Sequence, residues 1–559
     1  MDVDALPPIS RLPGRPLQII CECLLEETQG RIPRHELLSD LMQVCPAWER
    51  VLLNTPRLWA RIKLDDCSPE NLKQTDNYLS LSRNARLTIV MDFLPNLHLI
   101  DRGPLNEACH LLLPHLKRLD TFLVERISAA QYMFICRFFH DRSVPRLRYL
   151  DVNICPPDGQ IFNLELFDQR FPALQELHTS SISPWCIGGS PHLLLTRLSM
   201  RVSSINTTIG EIYATLAGCP NLLDLKFQEG ATFSLINFPM SAPTTTVNLG
   251  RLRKLTVEYA IPEFTKNILA GIIYPATVSI SIVCLSDWDH ETWAPTASDS
   301  FVGVMESISR VHLEFGHNSD DDRARRQCTL WILGFGSDNQ IHLNVLWSWS
   351  DRDWQSMGDY LQRIDHAILN FPIAHTLTAE FHVGTSRPLT IRDGLLILSG
   401  FPRLKWLEVT TYDDNSRPER ATMPFGVALR LDALTARSDY RIEFDHGSPV
   451  LCPKLHSVNM HIPSADQERM TSELSDLIYM VVWRRNNEVP LGEVIVDRQR
   501  LDEPLVRACA DSITGLGTAV WARRESSGRF EEGYEESQSE EEEMEVDMLL
   551  QPEEPDIAG

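Results

Sequence analysis

The stretch Pro145-Arg146-Leu147-Arg148-Tyr149-Leu150-Asp151-Val152 decides the fold of this 559-residue chain. It places a proline first, leucines two and five residues later, and an apolar residue two positions further on. One polar residue separates the second leucine from the final valine, which is the alternation expected of a β-strand with one buried face. The stretch therefore predicts a short strand that is entered through a proline-led turn.

The same phrase recurs along the middle of the chain. Successive copies between Leu119 and Leu255 lie 21 to 31 residues apart, and periods of that size are typical of stacked repeats. Helical patterns precede several copies, for example Ala129–Phe139 and Leu395–Leu398. The other copies are Pro114–Leu119, Pro172–Leu177, Leu198–Met200, Pro220–Phe227, Leu252–Val257, Pro402–Val409 and Pro453–Val458.

Helix, turn and short parallel strand form a unit whose apolar face only its neighbours can cover, so burial favours stacking. Between Leu255 and Leu404 the phrase is weaker. Strand-like runs at spacings of about thirty residues extend the array through that region: Thr277–Leu285, Val311–Phe315, Ile341–Leu346 and Thr376–Val383. Within it, Gly334-Phe335-Gly336 is interpreted as a turn.

These units resemble the leucine-rich repeat family, although the Asn or Cys of the usual repeat does not recur in place. The resemblance implies an α/β fold in which residues 67–523 form an irregular leucine-rich-repeat-like solenoid with a parallel sheet. The alternative is an irregular α/β domain in which the leucine spacing is accidental.

The first sixty-six residues carry a different, helical pattern. Leu17, Ile20, Cys21 and Leu24 form one apolar stripe. A second stripe runs through Leu37, Leu41, Val44, Cys45, Trp48 and Leu52. Pro46 is expected to kink or restart the second helix, and Pro56 to end the last one. A segment this short buries too little surface to be stable alone, so part of its apolar surface is expected to meet a partner.

Two motifs in this segment resemble the F-box, the adaptor-binding module of SCF-type ubiquitin ligases. Leu12-Pro13 stands eight residues before Ile20, and Val44-Cys45-Pro46-Ala47-Trp48 keeps the spacing of the family's Val-Cys-Arg-x-Trp. Pro46 replaces the family's arginine, and Arg15 replaces its acidic residue. The combination of such an F-box with loose repeats resembles the large F-box families of mushroom-forming (basidiomycete) fungi.

The resemblance implies a substrate-recognition subunit rather than an enzyme. Residues 1–66 would dock a Skp-type adaptor and through it a cullin, while the repeat array would hold a protein target that the sequence does not identify. The adaptor-binding residues that it implies are Leu12, Pro13, Ile20, Leu24, Leu41, Val44, Trp48, Leu58 and Trp59. One alternative is a small helical N-terminal subdomain with no partner. Others are a repeat scaffold whose F-box has decayed and binds no adaptor, and a hydrolase whose site is too diffuse to recognise.

The net charge and the composition of the chain limit the classes of partner that we expect it to bind. The net charge of −24 argues against nucleic acid or an anionic membrane as the main partner. Residues 525–559 hold fourteen acidic residues against one basic residue, a net −13 that leaves −11 for the rest. Residues 524–559 are therefore predicted to be a disordered acidic tail. The thirteen scattered cysteines, with no CxxC pair, and an acidic N-terminus without an apolar signal favour a cytoplasmic or nuclear location.

No catalytic, metal-binding or cofactor motif is recognisable. The chain contains no HExxH, no Walker loop, no dinucleotide fingerprint and no GxSxG elbow, so no catalytic residue, metal ligand or cofactor is predicted. One aromatic cluster, Trp347, Trp349 and Trp354, suits a partner-binding surface, since tryptophans dominate binding hot spots. It also suits the filling of a core.

Overall fold

The computed structural model describes the chain in segments that together cover most of residues 14–523. These are residues 14–27, 34–93, 102–154, 162–163, 171–180, 182–183, 193–202, 209–229, 246–258, 262–284, 298–318, 327–350, 376–383, 391–411, 450–460, 467–497 and 504–523. The predicted acidic tail, residues 524–559, lies outside them.

The helices are numbered in chain order. They are α1 (Gly14–Glu27), α2 (Arg34–Val44), α3 (Pro46–Leu53), α4 (Pro69–Leu81), α5 (Arg102–Leu112), α6 (Ala129–Phe139), α7 (Ile209–Ala217), α8 (Pro262–Gly271), α9 (Asp299–Ser307), α10 (Ile391–Ser399), α11 (Gln467–Asn486) and α12 (Pro504–Gly515). Two 3₁₀ turns, Pro56–Trp59 and Leu113–Arg118, join them.

The strands are β1 (Arg61–Leu64), β2 (Leu87–Asp92), β3 (Leu119–Ile127), β4 (Tyr149–Ile154), β5 (Phe162–Asn163), β6 (Glu176–Ser180), β7 (Ile182–Ser183), β8 (Arg197–Val202), β9 (Asp224–Glu229), β10 (Val247–Asn248), β11 (Lys254–Glu258), β12 (Ile272–Ile273), β13 (Ser279–Cys284), β14 (Ile308–Asn318), β15 (Gln327–Gly336), β16 (Ile341–Ser350), β17 (Thr378–Val383), β18 (Trp406–Thr411), β19 (Ser457–Met460), β20 (Glu493–Asp497) and β21 (Ala519–Arg523).

Seventeen of the described strands pair into one sheet. Their order is β1-β2-β3-β4-β6-β8-β9-β11-β13-β16-β15-β14-β17-β18-β19-β20-β21. Every neighbouring pair is parallel except the two that involve β15. The fold is therefore mixed α/β with a large, mostly parallel sheet, as predicted.

The antiparallel strand β15 was not predicted. Gly334-Phe335-Gly336 lies at the end of β15, so its interpretation as a turn is wrong. The chain reverses just after it, where the Gly336 amide donates to the Gln340 carbonyl and Asn339 adopts a positive φ of 61°. Asparagine tolerates this left-handed conformation better than most residues, which suits it to the turn.

The recurring phrase has one local structure. In Phe171-Pro172-Ala173-Leu174 the leucine amide donates to the carbonyl of the residue before the proline, at 3.2 Å. The corresponding bond closes the turns at Val144–Leu147, Cys219–Leu222, Phe401–Leu404 and Cys452–Leu455. Proline sets the φ that the second position of such a turn requires. The strand then begins two residues after the first leucine.

The second leucines of the phrase lie directly opposite one another across neighbouring strands. Leu150 pairs with Leu177, Leu177 with Leu198, Leu198 with Leu225, and Leu225 with Leu255. All five side chains are buried. Side chains at alternate positions share a face of the sheet, so this row forms the core face against which the helices pack.

The N-terminal helices join the sheet without a linker. Helix α3 leads through the 3₁₀ turn Pro56–Trp59 directly into β1, which pairs with β2 inside the sheet. The sheet thus begins within the range predicted for the helical domain, and the buried apolar cluster is continuous from α1 to α12. The helical module (α1–α3 and Pro56–Trp59) therefore shares its core with the first strands.

Candidate functional site

Four of the residues predicted to bind an adaptor lie in the core of the helical module. Leu41, Trp48, Leu58 and Trp59 are all buried. The Trp59 indole N–H donates to the Leu52 carbonyl at 2.8 Å, and its ring packs edge-on against Tyr78 with centroids 5.1 Å apart. These side chains stabilise the module. The predicted pair Leu12 and Pro13 lies outside the described residues.

A second group of apolar side chains in the module remains open. Ile19 is 52% exposed, Ile20 37% and Val44 47%, and Leu24 is half-buried. Helix α1 buries Leu17, Cys21 and Leu25 in the core instead. The apolar surface of α1 is therefore wider than the part of it that packs against the core. Exposed apolar side chains on helices whose core is already filled are available to a partner.

The helix break at Pro46 explains the position of Val44. Cys45 is fully extended, with φ −169° and ψ 165°, and α3 begins at Pro46, where a missing N–H is tolerated. The predicted restart of the helix is confirmed. Because the chain changes direction there, Val44 leaves the stripe that buries Leu41 and Trp48.

The face of the sheet opposite the core face is called here the polar face. One row across it takes one residue from each of the seventeen strands, in the order Lys63, Val90, Leu123, Asp151, His178, Ser199, Lys226, Thr256, Ser281, Asn344, Leu333, His312, Glu380, Glu408, Asn459, Ile495 and Trp521. Polar and charged residues predominate from Asp151 to Asn459.

One charged cluster on this face lies at its N-terminal end. The Asp92 carboxylate accepts two bonds from Arg126, at 2.8 and 2.6 Å, and pairs with Lys63 at 3.1 Å. Burial alone would raise the pKa of Asp92, but these cations lower it. Across the next strand, burial and the charge of Glu125 raise the pKa of Asp151 to about 6. Arg126 and Lys63 therefore stabilise the charged form of Asp92, whereas burial and Glu125 disfavour the charged form of Asp151.

A second cluster lies where β14 pairs with β17. His312 faces Glu380, and two residues further on Glu314 faces His382. His312 Nδ1 lies 3.5 Å from Glu380 Oε2, and its Nε2 lies 3.8 Å from Glu314 Oε2. The rings of His312 and His382 are 4.3 Å apart between centroids. In the described part of the chain, His312, Glu380 and His382 form the set whose ligand atoms converge enough to hold a metal ion.

No short sequence motif indicates this cluster. Glu380 and His382 follow His312 by about seventy residues, so no short motif contains them. Only the register of β14 against β17 brings them together. The sequence indicates only that His312, Glu380 and His382 each alternate with buried residues along a strand, and so lie on its other face.

The predicted tryptophan cluster is only partly described. Trp347 and Trp349 lie in β16, opposite Leu330 and Cys328 of β15. Trp354 lies outside the described residues. The role of the three tryptophans in binding a partner stays a prediction.

Two of the described thiols, Cys109 and Cys219, are buried. Burial raises the pKa of Cys109 and Cys219 to about 12, which keeps both protonated near neutral pH. Such thiols are core residues.

Comparison with known proteins adds no family: no family model matches the chain, and no curated protein matches it in sequence. None of the described helices is long and apolar enough to cross a membrane.

Proposed function

We propose that this chain is the substrate-recognition subunit of an SCF-type ubiquitin ligase. In this proposal α1–α3 form an F-box that docks a Skp-type adaptor and through it a cullin. The observation that carries it is the open apolar surface of Ile19, Ile20 and Val44 on helices whose core is already filled. An adaptor that covers these side chains stabilises the complex by about 25 cal/mol for each Å² of apolar surface removed from water.

The same proposal assigns the rest of the fold to a leucine-rich-repeat-like solenoid. Its support is the regular turn–strand phrase and the row of leucines aligned from Leu150 to Leu255. A protein target would bind along the polar face, whose charged side chains provide specificity through complementary partners. The chain itself would carry out no chemistry.

The direct junction between helical module and sheet supports this division of labour. The 3₁₀ turn Pro56–Trp59 leads directly into β1, and Trp59 contacts Tyr78 of α4. A target on the sheet would thus be held in a fixed position relative to the adaptor. Such tethering raises the effective concentration of target lysines at the ubiquitin-loading enzyme. The proposed location is the cytoplasm, the nucleus or both.

The test is co-purification with a Skp-type adaptor. Ile19→Glu/Ile20→Glu places two charges on the proposed contact and leaves the module core untouched. We expect adaptor recovery to fall by more than about tenfold, since each unpaired charge desolvated in an apolar interface costs several kcal/mol. Trp48→Ala is unsuitable, because Trp48 is buried and its loss would unfold the module.

The matched control is Leu193→Glu, which changes an exposed leucine far along the chain. It should retain wild-type recovery. Equal recovery of the double variant and wild type would refute the assigned surface.

A repeat scaffold with a decayed F-box is the second candidate, and the break at Pro46 favours it. It predicts that the folded wild-type chain does not recover the adaptor at all. An unrecognised hydrolase is a third candidate, which would require a set of converging acid, base and nucleophile.

A further inference from the structure

The His312 cluster has the side-chain chemistry of a metal site. Two imidazoles and a carboxylate, from His312, His382 and Glu380, project from one face of two hydrogen-bonded strands. Glu314 is a fourth group within reach of His312. Strands fix their backbone positions, so the ligand set does not depend on a mobile loop.

The distances require only side-chain adjustment to bind an ion. The candidate ligand atoms of His312, Glu380 and His382 all lie within 4.8 Å of one another. Ligands bound to one Zn²⁺ at about 2.0–2.1 Å are themselves about 3.4 Å apart in a tetrahedron. Rotations at the outer torsions of half-buried side chains cover that difference.

Two carboxylates, those of Glu314 and Glu380, lie close to the His312 ring. Burial alone would lower the pKa of His312, but the hydrogen bonds and negative charges of these carboxylates raise it to about 9. Arg310 lies nearby, its guanidinium 4.3 Å from the Phe335 ring centre, and its charge also lowers the pKa of Glu380.

We propose that His312, Glu380 and His382 bind a divalent transition-metal ion of the Zn²⁺ class between β14 and β17, with Glu314 as a further ligand or outer-shell partner. Two imidazole nitrogens select such ions over Mg²⁺ and Ca²⁺, which prefer oxygen ligands. The site is independent of the proposed ligase function.

The test uses the full-length chain after removal of metals by chelation. Zn²⁺ binding is measured calorimetrically at pH 7.5. We expect about one tight site per chain, because the three ligand side chains converge on one point of the sheet. Co²⁺ is then added as an optical probe, because nitrogen and oxygen ligands give visible bands without the intense near-ultraviolet absorption of thiolate ligands.

Glu380→Gln and His382→Asn should each weaken Zn²⁺ binding by more than about tenfold, since loss even of an outer-shell partner has that effect. His178→Asn is the matched control. His178 lies in the same row of the polar face but stacks on Tyr149, with ring centroids 5.2 Å apart. Its loss should leave the affinity for Zn²⁺ unchanged.

Circular dichroism verifies that each variant is folded. If one histidine variant fails to fold, the nearly isosteric Glu380→Gln decides the question. The proposal is overturned if wild type binds no Zn²⁺, if it binds Zn²⁺ no more tightly than folded Glu380→Gln, or if Co²⁺ shows thiolate bands only.

Discussion

The side chain of Arg484 is completely buried and joins helix α11 to the turn before β19. It donates to the carbonyls of Leu451 and Cys452, at 3.1 and 2.9 Å. Burial lowers its pKa to about 10, so the guanidinium stays charged at neutral pH. Cys452 has a positive φ of 45°, a conformation that costs free energy in a non-glycine residue. Arg484 therefore stabilises a strained turn by satisfying its carbonyls.

Arg484→Met keeps most of the side-chain volume and removes the donors. We expect the free energy of unfolding to fall by about 2 kcal/mol, because the Leu451 carbonyl loses its donor in a buried site. The fall is measured as a shift in the urea midpoint. Arg485→Met is the control, since Arg485 is exposed and donates only to the Leu516 carbonyl. Equal midpoints for the two variants would contradict the role given to Arg484.

The exposure of single residues in helix α1 could not be predicted from periodicity. Leu17, Ile20, Cys21 and Leu24 belong to one apolar stripe, yet the fold buries Leu17 and Cys21 and leaves Ile20 open. The helix carries more apolar residues than one core contact can cover. Which of them meet the core depends on how α3 and the sheet approach α1, and no local pattern contains that information.

Among the elements, β15 differs most from its neighbours. It is antiparallel, and its Gly334 occupies the core-face row between Leu343 of β16 and Val311 of β14. A Cβ added at Gly334 would lie 2.6 Å from Ile308 Cδ1 and 3.1 Å from Leu343 Cβ. The glycine is required by close packing.

Gly334→Ala should lower the free energy of unfolding by about 1 kcal/mol, since Ile308 and Leu343 must shift to admit the methyl group. Gly303→Ala is the matched control. There the new Cβ meets only Ala276 at an ordinary 3.6 Å, inside helix α9. It should raise the stability by roughly 0.5–1 kcal/mol through helix propensity. Thermal unfolding of both variants checks the opposite signs, and a Gly334→Ala midpoint at or above wild type would disprove the packing argument.

Strand positions were predictable where the turn–strand phrase is intact, as at Leu150 and Leu407, because alternation and a leading proline are local signals. The order of the strands within the sheet was not predictable from such local signals. β16 rather than β14 pairs with β13, so the β14–β16 meander is inserted in reverse order. That choice depends on contacts between segments far apart in sequence. The metal-binding set at His312 depends on the same contacts, which is why the sequence did not indicate it.

At the scale of the whole molecule, the sheet is an array in which each strand pairs only with its neighbours. The strands at its two ends are protected from solvent to different degrees. At one end β1 is covered by the helical module, whose Leu58 and Trp59 are buried in the continuous core. At the other end β21 pairs with β20, no further described strand pairs with it, and Trp521 is 58% exposed. In such arrays, local opening begins where neighbour contacts are fewest.

Hydrogen exchange should therefore be fastest in β21, slower in β1 and slowest in central strands such as β9 and β11. Trp59→Ala removes part of the cover over β1, because the Trp59 ring packs on Tyr78 and its N–H bonds the Leu52 carbonyl. In that variant, amide exchange in β1 should accelerate toward the rate in β21, while exchange in β9 stays unchanged. Mass spectrometry of peptic fragments measures all three. If β1 of the wild type exchanges faster than β21, the helical module does not stabilise that end of the sheet, and the protective role assigned to the module is wrong.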